Sequence, residues 1–152
     1  MPATTPMPTG AKAMAAVSFA IVGWITANAY VPNMPEANSV GYLREMIGLL
    51  GAVVGWRVMG NAVGKGYFQA IGSGWKTMIV LVFFALLLFS IYEMLQLSVR
   101  LRYEGPMEAV LDVFKRMMDR SVPLLTVPVL AAMLIGGGIA GVMTENASRR
   151  WP

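Results

Sequence analysis

Four apolar stretches, each closed off by charged or turn-forming residues, commit this chain to helices whose solvent is lipid rather than water. With 57% hydrophobic and only 13% charged residues, the polar surface is too small to coat a soluble globule of 152 residues. Four helices of about 20 residues each leave only tails, two short connections and one longer excursion. The expected fold is therefore all-α, a single membrane domain over residues 1–152 of four transmembrane helices with one interfacial amphipathic helix between the third and the fourth. Cysteine and histidine are both absent. That removes thiolate and imidazole ligands, thiol redox chemistry and His-ligated haem, so no catalytic, cofactor-binding or metal-binding residues are expected. The net charge of +4 lacks a basic run with interleaved aromatics, which argues for membrane topology and against nucleic acid as a partner.

The first span reads from about residue 13 to 30, behind a Pro/Thr-rich start whose one charge is Lys12. Lys12, the apolar run and the triplet Ala27, Asn28, Ala29 imitate a cleavable signal peptide, but the stretch is long enough to remain as an anchor. A turn-rich connection follows over Pro32 to Val40. The second span is the unusual one. Only Met46 to Trp56 separate Glu45 from Arg57, about 17 Å of helix, so a crossing needs residues 42–62 with Arg44, Glu45 and Arg57 snorkelling near its ends. Arg44, Gly48, Gly51 and Gly55, spaced four, three and four apart, share one side of that helix and form a close-packing stripe. Arg57 falls on a different side from Arg44, so the two make no single clamp.

Asn61 to Gly74 carries four glycines and Lys65. Such a loop is able in principle to cradle an anion on its amides. The plainer expectation is a flexible interfacial loop, with Tyr67, Phe68 and Trp75 at headgroup level and a break at Gly72 to Gly74 before a third span over about 75–97. Glu93, near the end of that span, is the carboxylate to watch. Its structural reading is a pair with an arginine such as Arg44, Arg100 or Arg102; its functional reading is a proton or ion relay, and its shallow depth favours the first.

Gly105 and Pro106 then signal a helix start. Met107, Val110, Leu111, Phe114, Met117 and Met118 recur at helical spacing opposite Glu108, Asp112, Lys115, Arg116, Asp119 and Arg120, an amphipathic helix over about 106–120. Asp112 with Arg116, and Lys115 with Asp119, stand four apart with opposite charge. This balanced polar face suits a helix lying on the bilayer or docking on a partner. The last span, about 122–143, carries no charge. Ala132, Gly136 and Ala140 line one small-residue face and Gly137 and Gly141 another; one is expected to receive the Gly48/Gly51/Gly55 stripe, leaving the other for a partner membrane protein or a second copy. Pro128 is expected to kink the helix.

Lysines and arginines divide evenly between the two sides of a four-span topology. Discounting the self-neutralising amphipathic helix puts both ends on the cytoplasmic side of an inner membrane. The runs GLLGAVVGWRVMG (Gly48 to Gly60), GKGY (Gly64 to Tyr67) and FSIYEMLQLSVRLRYEGPMEAV (Phe89 to Val110), with the ending ASRRWP, resemble the TrgA family of bacterial tellurite-resistance membrane proteins. The resemblance spans nearly the whole chain and implies a small bacterial inner-membrane protein associated with tellurite resistance; no site residue is carried over from it.

Three functional classes stay open on these residues. Without a thiol the chain has no means of reducing tellurite itself. A transporter or exclusion protein would use Arg44, Arg57 and Lys65 toward an oxyanion and Glu93 toward protons, and would need to oligomerise. A non-catalytic accessory subunit of a respiratory or photosynthetic assembly would need only lipids, its glycine-lined faces and the amphipathic helix. An intramembrane hydrolase comes third, because Ser90 stands alone and Asp112 and Asp119 sit on the amphipathic helix.

Overall fold

The computed structural model describes residues 10–33, 41–99 and 104–151, and among these the chain is helix and turn throughout, without a strand. Helix α1 covers Gly10–Tyr30 and ends in a 3-10 turn, Val31–Asn33. Helix α2, Leu43–Val54, runs straight into a π-helical turn, Gly55–Met59, closed by the Gly60 amide donating to the Gly55 carbonyl at 2.9 Å. Helix α3 is Tyr67–Val99, α4 is Pro106–Ser121, a 3-10 turn follows at Val122–Leu125, and α5 is Val127–Arg150. Much of the Pro32 to Val40 connection, together with Arg100, Arg102 and Tyr103, lies outside the described residues.

Three helices are long and apolar enough to cross a bilayer: α1 with its 3-10 turn, α3 and α5. The stretch expected as a fourth span over 42–62 is shorter. Twelve residues of α2 and five of the π-helical turn rise about 25 Å at most, against a hydrocarbon layer of about 30 Å.

Boundaries move for physical reasons. Helix α3 begins at Tyr67, not near residue 75, so the glycine-rich loop shrinks to 61–66 and Gly72 and Gly74 are helical. Gly74 does not break the helix because α5 lies against it: a Cβ there would collide with the Gly137 carbonyl. The last helix begins at Val127 rather than 122 and runs on to Arg150 rather than 143. Pro128 consequently falls in its first turn, where an amide has no helical acceptor, and it causes no mid-helix kink.

Packing centres on α1, which lies between α2 on one side and α5 on the other, while α5 also packs on α3 and α2 touches α3 only lightly. The Gly48/Gly51/Gly55 stripe is seated on α1, not on a glycine face of α5 as its spacing suggested. A Cβ on Gly51 would run into the Phe19 carbonyl, and one on Gly55 would stand 2.5 Å from the Ala15 carbonyl. The sequence reading paired two glycine stripes and passed over the Ala15, Phe19 and Ala20 face of α1, whose backbone is what those glycines approach. Both small-residue faces of α5 are likewise filled within the chain. Gly136 meets Val22 of α1, with Ala140 fully buried nearby on the same face and Ala132 half-buried; Gly137 and Gly141 meet Met78, Gly74 and Ala70 of α3.

Where the chain leaves these seams, polar groups are closed locally, as a low-dielectric surrounding requires. The hydroxyls of Ser18, Thr26, Thr77 and Thr144 donate to carbonyls four residues back in their own helices. Trp75 donates its indole N–H to the Leu134 carbonyl at 2.9 Å, reaching it past the side-chain-free Gly138.

Substitution separates the two kinds of glycine. Gly51→Ala forces backbone apart and is expected to cost about 1 to 3 kcal/mol, whereas Gly72→Ala, with open space around it, is expected to be neutral or stabilising by up to about 1 kcal/mol. Thermal unfolding in detergent, read side by side for the two variants, checks the contrast.

Candidate functional site

Two clusters of charge close the two ends of the bundle. At the end where α1 starts and α5 finishes, the loop after the π-helical turn folds back over α5. The Asn61 side chain donates to the Arg57 carbonyl at 2.7 Å and the Ala62 amide to the Met59 carbonyl at 2.9 Å, which turns the chain sharply. Gly64 and Gly66 then take φ values of +93° and +105°, a backbone region that side chains resist. Their amides converge on one carboxylate: Gly64 donates to Glu145 Oε2 at 2.8 Å and Gly66 to Oε1 at 3.1 Å. Arg149, one turn further along α5, adds its Nε at 3.3 Å and lays its guanidinium over the Tyr67 ring at 4.6 Å. Glu145 is 1% exposed. The glycine-rich loop is thus an anion cradle, and the anion is the chain's own side chain. The sequence reading stopped the last helix at Met143 and so did not see Glu145; the signal was an acidic residue followed at i+4 by arginine just beyond the apolar run.

At the other end, Glu93 of α3 accepts from Arg120 Nη2 and, at 3.3 Å, from Arg116 Nη1, both on α4. Among the described residues these two stand where Arg44 was one expected partner; the other expected partners, Arg100 and Arg102, lie outside the described residues. Arg116 also donates Nε to Asp112 at 2.7 Å, the i, i+4 pair read from the sequence. That hydrogen bond and then the nearby Asp112 and Glu93 charges hold the Arg116 guanidinium above its usual pKa against the opposing effect of burial, so it stays charged wherever the protein is folded. Tyr30, at the end of α1, donates its hydroxyl to the Arg120 carbonyl at 2.9 Å and ties the cluster to a third helix.

This cluster divides α4 into three sectors. Inward lie Val113, buried, and half-buried Asp112, Arg116, Met117 and Arg120. Exposed Met107, Val110, Leu111, Phe114 and Met118 form an apolar sector, and exposed Glu108, Lys115 and Asp119 a polar one. At about 100° per residue the polar and inward sectors are centred roughly 100° and 210° round from the apolar one. The sequence placed all the charges on one face; half of them turn inward because Glu93 is there to meet them.

The remaining charged candidates are not gathered. Arg44 is half-buried in the first turn of α2, Glu45 beside it is exposed, and Arg57 is exposed in the middle of the π-helical turn. No group of three or more acidic residues able to hold a metal ion occurs among the described residues. Comparison with family models, with curated proteins and with solved structures finds no match.

The Glu93 cluster predicts a coupling. Glu93→Ala leaves two half-buried guanidiniums short of an acceptor and is expected to cost about 1 to 2 kcal/mol, discounted for partial exposure. Proteolysis within α4 should accelerate in the same variant. In a double-mutant cycle with Arg120→Ala, the two losses should fail to add; additive losses would show that the pair holds nothing together.

Proposed function

We propose that this chain is a four-span protein of the bacterial inner membrane, with both ends cytoplasmic, that acts by association as a non-catalytic subunit stabilising a larger membrane assembly. The tellurite-resistance setting is the one its resemblance to the TrgA family implies. The observation that carries the reading is that the two carboxylates drawn into the bundle are already engaged structurally: Glu93 by Arg116 and Arg120, Glu145 by two amides and Arg149. A proton or oxyanion carrier needs such groups free to change partners. Here each one fastens a loop or a helix.

Topology is supported by the close approach of the first and last described segments. Gly10 lies against Trp151, and Lys12 against Gly60, so the start of α1, the end of the α2 segment and the end of α5 share one end of the bundle. That arrangement fits an even number of passes. The α2 segment supplies the fourth, its outer side apolar through exposed Met46, Leu49, Val53 and Trp56, with its shortness met by snorkelling of Arg44 and Arg57 and local bilayer thinning. The three sectors of α4 support an interfacial placement, one turned to protein, one to acyl chains and one to water. Because the glycine faces are filled inside the chain, a partner subunit or second copy meets the outward apolar surfaces instead.

Purification from native membranes in mild detergent is expected to bring a stoichiometric partner along, and isolation as a lone monomer would overturn the subunit reading. Liposomes holding this protein alone are expected to pass no more tellurite than empty vesicles. Accessibility of tags at the two ends should place both in the cytoplasm; labelling on opposite sides would remove the fourth crossing.

A further inference from the structure

The light contact between α2 and α3 leaves a crevice, and its walls say what fits it. The crevice lies between α1, α2 and α3, with about 540 Å³ of atom-free space when the part open to the surroundings is counted in. Its α3 wall is Met78, Leu81, Val82, Ala85, Leu86 and Phe89, with Leu43 and Ile47 of α2 opposite. Gly23 and Ala27 of α1 form the floor, where small side chains keep the space open. Nearly all of the lining surface is hydrocarbon. The polar members are Thr26, whose hydroxyl is spent on the Val22 carbonyl, and, at one end, Tyr30 and Arg120. Arg44, next in the chain to Leu43, lies in the first turn of α2 at that end of the bundle, outside the residues that line the crevice. Its Nε is buried from solvent and donates to no acceptor among the described residues.

A long apolar slot with donors gathered at one end matches a single acyl chain joined to a phosphate. An empty hydrocarbon-lined slot loses the dispersion contacts of every atom along it, and a lateral opening toward lipid gives acyl chains access. A buried guanidinium N–H without an acceptor is costly, and a phosphate oxygen is the acceptor that guanidinium geometry suits best. A guanidinium carries five N–H donors, so Arg120 is able to serve Glu93 and a headgroup together. We propose that the crevice is a phospholipid site, taking one acyl chain from the bilayer between α2 and α3 with its phosphate at the Arg44 and Arg120 end. The proposal rests on the membrane-spanning reading above.

The full-length protein in nanodiscs carrying phosphatidylglycerol with a diazirine midway along one acyl chain provides the test. Photolabelling is expected to concentrate several-fold on the crevice residues Val82, Ala85, Leu86, Phe89 and Ile47, relative to the outward residues Ile79 and Phe83, which are 66% and 54% exposed. Ala85→Trp, and independently Val82→Phe, should remove that excess, whereas Ile79→Trp should leave it intact. A diacylglycerol with the same diazirine should label the crevice several-fold less than the phospholipid, and Arg44→Gln should erase that difference. Labelling of Ile79 and Phe83 without any excess in the crevice would overturn the proposal while sparing the membrane reading; no labelling at either place would overturn the membrane reading itself. Equal labelling by phospholipid and diacylglycerol would overturn the headgroup assignment.

Discussion

The structure depends on backbone meeting backbone along α1 and α5. Helices in lipid gain little from burying apolar side chains, since acyl chains solvate leucine as well as a neighbouring helix does; association rests on dispersion contacts, which need close approach. Gly51 and Gly55 let α2 settle on the Ala15 to Phe19 backbone, and Gly74, Gly137 and Gly141 do the same for α3 and α5. These seams account for the sparse buried core, in which Phe19, Met59, Met78 and Leu81 are the largest apolar side chains fully enclosed. They also leave an apolar outward face on α1, α2, α3 and α5, as exposed Ile21, Leu49, Phe83 and Ile135 show.

Charge does a second job that the seams do not. Small-residue contacts fix how helices lie side by side but leave connections free to swing, and each end of the bundle answers this with one carboxylate. Glu145 holds the loop between α2 and α3 by its amides, so the two positive-φ glycines and the acid form one device spread over about eighty positions of sequence, with hydrogen bonds of 2.8 and 3.1 Å. Glu93 holds α4 by two guanidiniums. The difference in partner follows from location: tight loops present amides, whereas a helix lying across the bundle presents long side chains able to reach. Ser90, one turn before Glu93, is fully buried with an unpartnered hydroxyl, and nothing in the structure explains it.

How much of this was legible in the letters depended on whether the signal was local. The helical character of α1, α3, α4 and α5 follows from apolar length and from the 3.6-residue period. The Asp112 and Arg116 pair was readable because four residues bring them together on any helix. Partner choice was not. The Gly48 stripe announces a close approach without saying to what, and the alanines and Phe19 of α1 that receive it look like ordinary span residues. The failure at Gly72 and Gly74 has the same origin: glycine in an isolated helix is a weakness of about 1 kcal/mol, and only a facing helix turns Gly74 into an asset. Glu93 was recognised as needing an arginine, yet five lay within reach by composition, and only the fold of α4 back onto α3 selected Arg116 and Arg120.

The short α2 segment connects these threads. Because its glycine stripe is committed to α1, it has no equivalent face for α3, and the side chain of Ile47 lines the space between the two helices. The π-helical turn at Gly55–Met59 adds to this asymmetry, since its wider turn brings Gly60 against Lys12 of α1 and spends the end of the segment on the same neighbour. A bundle with glycine seams on three of its sides and none on the fourth is obliged to have an open side. That open side ends beside the Glu93 cluster, so the same helix, α4, both closes the end of the bundle and sets Arg120 at the mouth of the crevice. Anything that enters there must pass between α2 and α3, and the position of α4 decides what its polar end will meet.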